Sequence, residues 1–281
     1  PASPPPFPVP EGHTLHRLAR RQQRLFGGHP VALSSPQGRF ADEAAMLDGW
    51  TFHRAQAWGK HLVQEYRPPG SSARSGPRQL VHVHLGIYGA FHDLPVPPGP
   101  PVGQVRLRIS SPTAAVDLRG PNACELYTPE DLDALVARLG PDPLRPDAEP
   151  SRARVAIQKS KRPIGALLMD QKVIAGVGNV YRAEVLFRAG IDPHRAGTTI
   201  SDDEFDAIWA DLLLLMPIGV RRGQMHVMRP DDDHGAPSYR PDRPRTYVYR
   251  RAGEPCRICG MPVAHEVMEG RNLFWCPTCQ T

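Results

Sequence analysis

Four cysteines near the C-terminus constrain this chain more than any other feature. They form two Cys-x2-Cys pairs, Cys256 with Cys259 and Cys276 with Cys279, and 16 residues separate the pairs. Two thiolates two residues apart fit one side of a tetrahedral ion, so two such pairs complete a structural zinc site. Two disulfides and a redox dithiol are the alternatives. Because residues 1–10 lack the basic and apolar regions of a secretion signal, we favour one structural Zn²⁺.

Size and charge narrow the class of protein. A chain of 281 residues and 31.0 kDa with 40% hydrophobic residues is typical of about two globular domains. The longest apolar runs fall well short of the ~20 residues of a membrane span. The net charge is +5, and arginine supplies nearly all of the positive charge. Bidentate guanidinium groups favour an anionic partner, with nucleic acid as the first choice.

The first half of the sequence has the period of β-strands. Apolar residues alternate over 79–91, where His82 and His84 fall on the opposite face, and again over 102–110. Helical periodicity begins at Thr14, and a second helix opens at Thr128 with a proline in its first turn. This pattern predicts a β-rich domain with a helix near each end.

The second half has the period of helices. We assign residues 1–9 to a proline-rich lead, 10–140 to the β-rich domain, 141–150 to a linker, 151–245 to a helical domain and 246–281 to a zinc-binding hairpin. Ser201 opens a capping box ahead of a long apolar-periodic helix. Residues 218–245 are polar and rich in glycine and proline, so we expect a long loop there.

A glycine-rich turn, Gly176-Val177-Gly178-Asn179, joins two predicted helices over 163–169 and 179–187. Glycines let a backbone approach a phosphate, and the free N–H groups of the following helix point at it. A plain turn between packed helices is the alternative. Arg271 lies at the predicted tip of the zinc hairpin, from which it can reach a DNA backbone, whereas Trp275 also fits simple hairpin packing.

Four motifs occur in one order along the chain. They are Pro10–His16 (PEGHTLH), Gly59–Leu62 (GKHL), the stretch from Leu168 to Tyr181, and Gly270–Gln280 with its Cys-Pro-Thr-Cys-Gln ending. Together they resemble the formamidopyrimidine-DNA glycosylase/endonuclease VIII family, and most closely its actinobacterial endonuclease VIII branch. The resemblance covers nearly all of the chain from Pro10 onward.

The resemblance implies an α+β protein with an N-terminal β-sandwich and flanking helices. A C-terminal helical domain with a helix–two-turn–helix and a zinc-finger β-hairpin follows, and DNA lies in the cleft between the domains. The implied activity is that of a bifunctional DNA glycosylase/AP lyase of base excision repair, which removes an oxidised base and then cuts the strand. The branch favours oxidised pyrimidines.

The resemblance also assigns the chemistry to three residues. The secondary amine of Pro10 attacks the sugar of the damaged nucleotide and forms an iminium, which is an electron sink for β,δ-elimination. An α-amine suits this role because its reference pKa, about 7.7–8.0, leaves a neutral fraction near pH 7. Glu11 protonates the opening sugar or shuttles protons, and Lys60 holds the phosphate beside the lesion. On their own, Glu11 reads as a first-turn helix charge and Lys60 as a solvated strand end.

Five further residues are DNA contacts by resemblance. Ile87 and Tyr88 match the loop that fills the gap left by an extruded base. Arg119 matches a second loop, near phosphate or the orphaned base. Asn179 and Arg271 match the clamp on the backbone of the flipped nucleotide.

The chain departs from the family pattern at two places near its start. Thr14 stands where the family often has a glutamate, which leaves no carboxylate for that role. Residues 1–9 would make the nitrogen of Pro10 an amide, which cannot form an iminium. Since a GTG valine codon can serve as a start, we expect the natural chain to begin at Val9 and methionine removal to free Pro10.

Two other classes of function remain at this stage. One is a damaged-DNA or abasic-site binding protein of the same fold without lyase chemistry. The other is a zinc-ribbon transcription or RNA factor, which explains the cysteines but not Pro10, Glu11 and Lys60. We expect a monomeric, cytoplasmic, nucleoid-associated bacterial protein that acts on duplex DNA, with bubble or single-stranded DNA as further substrates. The loop from Val220 to Tyr239 covers the region that caps the flipped base in purine-specific relatives.

Overall fold

The computed structural model describes residues 10–71, 76–233 and 245–281, so the predicted lead over residues 1–9 lies outside the described residues. Its contacts divide the chain into two compact units. Pro10 and Thr14–Arg138 belong to the first, and Glu11–His13 and Leu139–Thr281 belong to the second. Among the described residues, no helix has both the length and the apolar character needed to cross a membrane.

The first unit contains helices and two antiparallel sheets. Its helices are α1 (Gly12–Phe26, of which Gly12 and His13 group with the second unit), α2 (Ala41–Leu47) and α3 (Pro129–Arg138). Its strands are β1 (His29–Pro30), β2 (Ala32–Ser34), β3 (Thr51–Trp58), β4 (His61–Arg67), β5 (Gln79–His84), β6 (Ala90–Leu94), β7 (Val105–Ser110), β8 (Ala115–Arg119) and β9 (Ala123–Tyr127).

The two sheets form a sandwich around one apolar core. One sheet has the order β1-β3-β4-β5-β9 and the other the order β2-β7-β8-β6. Phe52 and Val81 from the first sheet, Ile109 and Leu118 from the second, and Leu15 from α1 share one buried cluster. Alternate residues of each strand face this core because successive side chains point to opposite faces. The expected β-sandwich with flanking helices is confirmed.

The strand predicted over residues 79–91 is two strands in the structure. Strand β5 ends at His84, and β6 begins at Ala90 and pairs in the other sheet. Gly86 interrupts the alternation with a φ of +67°, a conformation that residues with a Cβ rarely adopt. The continuous-strand prediction was therefore wrong, and residues 85–89 form a loop.

The second unit is mainly helical. Its elements are α4 (Pro150–Gln158), α5 (Ile164–Leu167), α6 (Asn179–Ala189), a 3₁₀ turn (Gly197–Thr199), α7 (Asp202–Arg222), α8 (Pro230–Asp233), and the hairpin strands β10 (Ala264–Met268) and β11 (Arg271–Trp275). The helices surround one apolar cluster that includes Ile157, Leu186, Phe205 and Leu212.

Helix α7 begins as its sequence predicts and ends later. The Ser201 side chain accepts a hydrogen bond from the Glu204 N–H, and the Glu204 carboxylate accepts one from the Ser201 N–H, so the capping box is present. The loop predicted from residue 218 was wrong over its first five positions, since α7 reaches Arg222. Val220 is buried and continues the apolar face of the helix. Residues 234–244 of the predicted loop lie outside the described residues.

A buried ion pair links the two central strands of the smaller sheet. Arg108 on β7 donates from Nε and Nη2 to the two carboxylate oxygens of Asp117 on β8, at 2.7 and 3.0 Å. The side chain of Asp117 is fully buried. Burial opposes its ionisation, but hydrogen bonds from Arg108 and Arg119 outweigh burial and hold the pKa of Asp117 below its ordinary value.

We predict that Asp117→Asn lowers the free energy of unfolding by about 3–5 kcal/mol, because it leaves Arg108 without its buried counter-charge. Because the pKa of Asp117 is lowered on folding, its ionisation stabilises the folded state above the unfolded pKa of about 3.9, and this stabilisation is lost as the pH falls. The stability of the variant should therefore decrease less steeply than that of the wild type as the pH is lowered. Denaturant unfolding between pH 3 and 7 measures both effects. Asp93→Asn, which breaks an exposed ion pair with Arg21, should change stability by about 1 kcal/mol or less. Equal effects of the two substitutions would contradict the prediction.

Candidate functional site

The Glu11 carboxylate caps the N-terminus of α6. Its oxygens accept hydrogen bonds from the backbone N–H groups of Gly178 at 3.0 Å and Val180 at 2.7 Å, with Tyr181 N at 3.4 Å. Glu11 is only 2% exposed. The positive end of the helix dipole and these unsatisfied N–H groups both stabilise an anion at this point. Of the two interpretations of this turn, phosphate binding at these three N–H groups is not supported, because Glu11 accepts their hydrogen bonds.

The glycine-rich turn is shaped around Glu11. A Cβ on Gly178 would lie 2.4 Å from Cδ of Glu11, so only glycine fits there. Gly12 N donates to Gly176 O at 2.8 Å, and the Gln171 side chain accepts from Gly176 N at 2.9 Å. The turn thus places the residue that directly follows Pro10 in a fixed orientation. Pro10 itself is half-buried.

Lys60 lies at the tip of the β3–β4 hairpin. Trp58 and His61 form the last pair of the ladder, so Gly59 and Lys60 make a two-residue turn. Gly59 has a φ of +55°, as tight hairpin turns require. Lys60 is half-buried and directly precedes His61, the first residue of β4. The last residue pair of the β3–β4 hairpin, Trp58 and His61, therefore fixes the position of Lys60.

Ile87 and Tyr88 lie in the loop between β5 and β6. Gly89 N donates to Leu85 O at 2.9 Å, which closes the loop into a tight turn. The Tyr88 side chain is 76% exposed, an unusual state for a large aromatic residue, and Ile87 is half-buried. Arg119 ends β8 and donates to Asp117 at 3.2 Å.

Asn179 is linked to the zinc hairpin next to Arg271. Its Nδ2 donates to the carbonyl of Asn272 at 2.8 Å, and Arg271 and Asn272 are both exposed at the start of β11. The structure thus brings together the two residues that the resemblance assigns to a backbone clamp.

Arg182 supports this arrangement, and the sequence analysis missed it. It donates to Oδ1 of Asn179, to Asn272 O at 3.1 Å and to Gly165 O at 3.5 Å, all of which are neutral acceptors. Arg182 is fully buried, and burial lowers its pKa to about 10, so the guanidinium stays charged at neutral pH. Its place three residues after Asn179 on one helix was the available signal, because residues at i and i+3 are neighbours on the helix surface.

The four C-terminal cysteines converge on one point. Their sulfur atoms all lie within 4.8 Å of one another, with Cys256 and Cys279 at 3.9 Å and Cys259 and Cys276 at 3.4 Å. A tetrahedron of thiolates about 2.3 Å from zinc has edges of about 3.8 Å, so the donor set fits this ion. The sulfur atoms form no disulfide. The chain has one structural zinc site, and four protein ligands leave no coordination position for a water.

Packing also accounts for two further residues, Trp275 beside this centre and Cys124 on β9 of the first unit. Trp275 packs on the cluster of Ala166, Met268 and Leu273, and its ring meets His194 edge to face at 4.8 Å, which favours a packing role. Cys124 is a buried core residue, and burial raises its pKa to about 12.

Comparison with known families places two segments of the chain. Residues 139–230 match the family described as formamidopyrimidine-DNA glycosylase H2TH domain. Residues 253–281 match the zinc finger found in FPG and IleRS. A zinc-ribbon factor of another class would not account for the first match.

Relatives and solved structures extend the likeness to the whole chain. "Endonuclease 8 1" of Mycobacterium bovis is 59% identical over 277 residues, which cover 97% of this chain and 100% of that protein. The formamidopyrimidine-DNA glycosylase of Geobacillus kaustophilus is 36% identical over 58% of this chain and 60% of that protein. The MutM (Fpg) crystal structure from Thermus thermophilus shares 26% identity with a TM-score of 0.73, covering 96% of this chain and 98% of that one. Lactococcus lactis Fpg in complex with DNA containing an abasic site has the same fold, with 20% identity and a TM-score of 0.77, covering 96% of this chain and 99% of that one.

A β-sandwich unit followed by a helix–two-turn–helix unit with a four-cysteine zinc finger defines a class of DNA glycosylases with AP lyase activity. Within that class, the chain belongs to the formamidopyrimidine-DNA glycosylase/endonuclease VIII family of base excision repair.

Proposed function

We propose that the chain excises oxidised pyrimidines from DNA with the nitrogen of Pro10 as the nucleophile. Attack on the anomeric carbon of the damaged nucleotide displaces the base and opens the sugar ring to give an iminium on Pro10. The iminium withdraws electrons from the sugar, so the 3′ phosphate leaves by β-elimination and the 5′ phosphate by δ-elimination. Hydrolysis of the iminium then regenerates the amine.

The observation that carries this proposal is the capture of Glu11 by the N-terminus of α6. Three N–H groups and a glycine turn without room for a side chain hold the carboxylate that follows Pro10. A proton shuttle must have a fixed position relative to the reacting atoms, and a buried, fully bonded carboxylate meets that condition. In this proposal Glu11 moves protons to and from the opening sugar, and Lys60 stabilises the phosphate that leaves.

Borohydride trapping on DNA with an abasic site tests the nucleophile. Protein that begins at Pro10 should form a covalent adduct, and Pro10→Gly should lose most of it because the secondary amine is gone. Protein that retains residues 1–9 is the matched control and should form none, since an amide nitrogen cannot make an iminium. An adduct that persists in both, or strand cleavage without a trappable adduct, would contradict the mechanism and favour a binding protein or another nucleophile.

The proposed DNA interface follows from the loops and the clamp. A base that leaves the stack costs a few kcal/mol, and an inserted side chain compensates by filling the gap. The exposed ring of Tyr88 and its neighbour Ile87 supply this wedge in the proposal, with Arg119 beside the orphaned base. Asn179 and Arg271, joined through Asn272, hold the backbone of the flipped nucleotide.

We predict that Arg271→Ala weakens binding to abasic-site DNA at all sequences and reduces the slope of log affinity against log salt by about one, because one phosphate contact is lost. Fluorescence anisotropy at several salt concentrations measures the slope. Arg39→Ala, at an exposed arginine outside the proposed interface, is the matched control and should leave the slope unchanged. An unchanged slope in Arg271→Ala would remove this residue from the interface.

The preference for oxidised pyrimidines is supported by the likeness to the endonuclease 8 relative, which is 59% identical to this chain. In competition kinetics on single-lesion oligonucleotides, thymine glycol and 5-hydroxyuracil should have higher kcat/KM than 8-oxoguanine. The same lesions in bubble and single-stranded DNA should also be cut. Preference for 8-oxoguanine would place the chain with the purine-specific members instead.

A further inference from the structure

A group of polar side chains covers the outer face of the larger sheet behind Lys60. The strand registers place His61 opposite His84, and His82 opposite Glu125. These four residues therefore share one face of β4, β5 and β9, while Leu62, Val81 and Val83 face the core. His82 is 3% exposed, so its ring nitrogens require partners within the protein.

Two hydrogen bonds connect three of these side chains in a fixed direction. Glu125 Oε1 lies 3.2 Å from Nδ1 of His82, and Nε2 of His82 lies 2.9 Å from Nδ1 of His61. An ionised carboxylate only accepts, so Nδ1 of His82 must carry the proton and Nε2 must accept. It follows that Nδ1 of His61 donates. One carboxylate thus sets the tautomer of both rings.

Ring stacking holds the same residues across three strands. The His61 and His82 rings stack at 5.1 Å with an interplanar angle of 26°, and the His82 ring stacks on Tyr127 at 4.3 Å and 23°. His61 is the residue after Lys60 and closes the hairpin ladder. The rings therefore restrain the turn that carries Lys60.

Burial and nearby positive charges both disfavour protonation of His61, His82 and His84. Burial is the largest cause of the low pKa of His61, about 3, and repulsion from Arg138 at the end of α3, from Lys60 and from the protonated forms of His82 and His84 adds to it. Burial, His84 and Arg138 lower the pKa of His82 against the opposing effect of Glu125. Burial and Lys60 lower the pKa of His84. Burial and positive neighbours thus favour the neutral form of all three rings beside Lys60.

We propose that Glu125, His82 and His61 form a hydrogen-bonded relay that positions Lys60 for the phosphate leaving the lesion. The inference rests on the role proposed above for Lys60. The relay acts through the hairpin turn and touches no substrate atom, so its members are positioning residues. It also explains why polar rings occupy a face where apolar packing alone would stabilise the sheet.

A double-mutant cycle on protein that begins at Pro10 tests the proposal. In single-turnover cleavage of abasic-site DNA, His82→Phe keeps the ring stack but loses the relay, and should lower the rate by about tenfold through misplacement of Lys60. In a Lys60→Ala background the same substitution should have almost no further effect. His92→Phe, at an exposed histidine on β6, is the matched control and should leave the rate unchanged. An equal factor in both backgrounds, or no effect of His82→Phe, would overturn the inference.

Two measurements keep the test decisive if His82→Phe folds poorly. Glu125→Gln alters the exposed end of the relay, where the side chain is 56% exposed, and should lower the rate in the same Lys60-dependent way. In the wild type at pH 7.5, ¹⁵N NMR should show His61 and His82 neutral with the proton on Nδ1. A charged ring or the other tautomer at this pH would refute the relay. If Lys60→Ala itself keeps full activity, the proposed role of Lys60 fails, whereas an impaired Lys60→Ala with an unaffected His82→Phe rejects the relay alone.

Discussion

The capture of the Glu11 carboxylate by the first turn of α6 is the interaction on which the rest of the second unit depends. A buried carboxylate without partners costs several kcal/mol, whereas N–H groups at a helix terminus both bond it and attract its charge. Gly178 must be glycine for the approach to occur, and Gly12 must pair with Gly176. The residue proposed to move protons is thus also a cap of α6, so its orientation does not depend on DNA.

Local features were predictable from the sequence because their partners are close along the chain. The paired cysteines indicated zinc and Ser201 with Glu204 indicated the start of α7, since each Cys-x2-Cys pair and the capping box lie within four residues and the two cysteine pairs are only 16 residues apart. Periodicity did not predict the break after His84, because alternation continues through Leu85 while the positive φ of Gly86 ends the strand, whereas the family resemblance did place Ile87 and Tyr88 in a loop. The alternation of apolar residues does not show where the chain passes from one sheet to the other.

The site contacts could not be predicted because they join distant residues. Glu11 meets α6 across 167 positions, and Asn179 meets Asn272 across 93. His82 and His84 were visible as the polar face of a strand, but nothing nearby in sequence indicates that Glu125, 43 positions on, fixes a tautomer. Family motifs supplied the residues of the site, and the three-dimensional contacts show what holds several of them in place.

The buried arginines differ in the groups to which they donate hydrogen bonds. Arg108 and Arg188 are each neutralised by a bidentate carboxylate, Asp117 and Asp211, as buried charges in a structural core require. Arg182 instead donates to neutral oxygens beside the clamp, and neutral histidines stand behind Lys60. Arg182 is fully buried, so it supports Asn179 and Asn272 rather than contacting phosphate itself. Buried arginines thus serve the fold in two ways, through carboxylates in the cores and through neutral oxygens beside the proposed clamp, where exposed Arg271 is proposed to contact phosphate, whose contacts dominate DNA affinity.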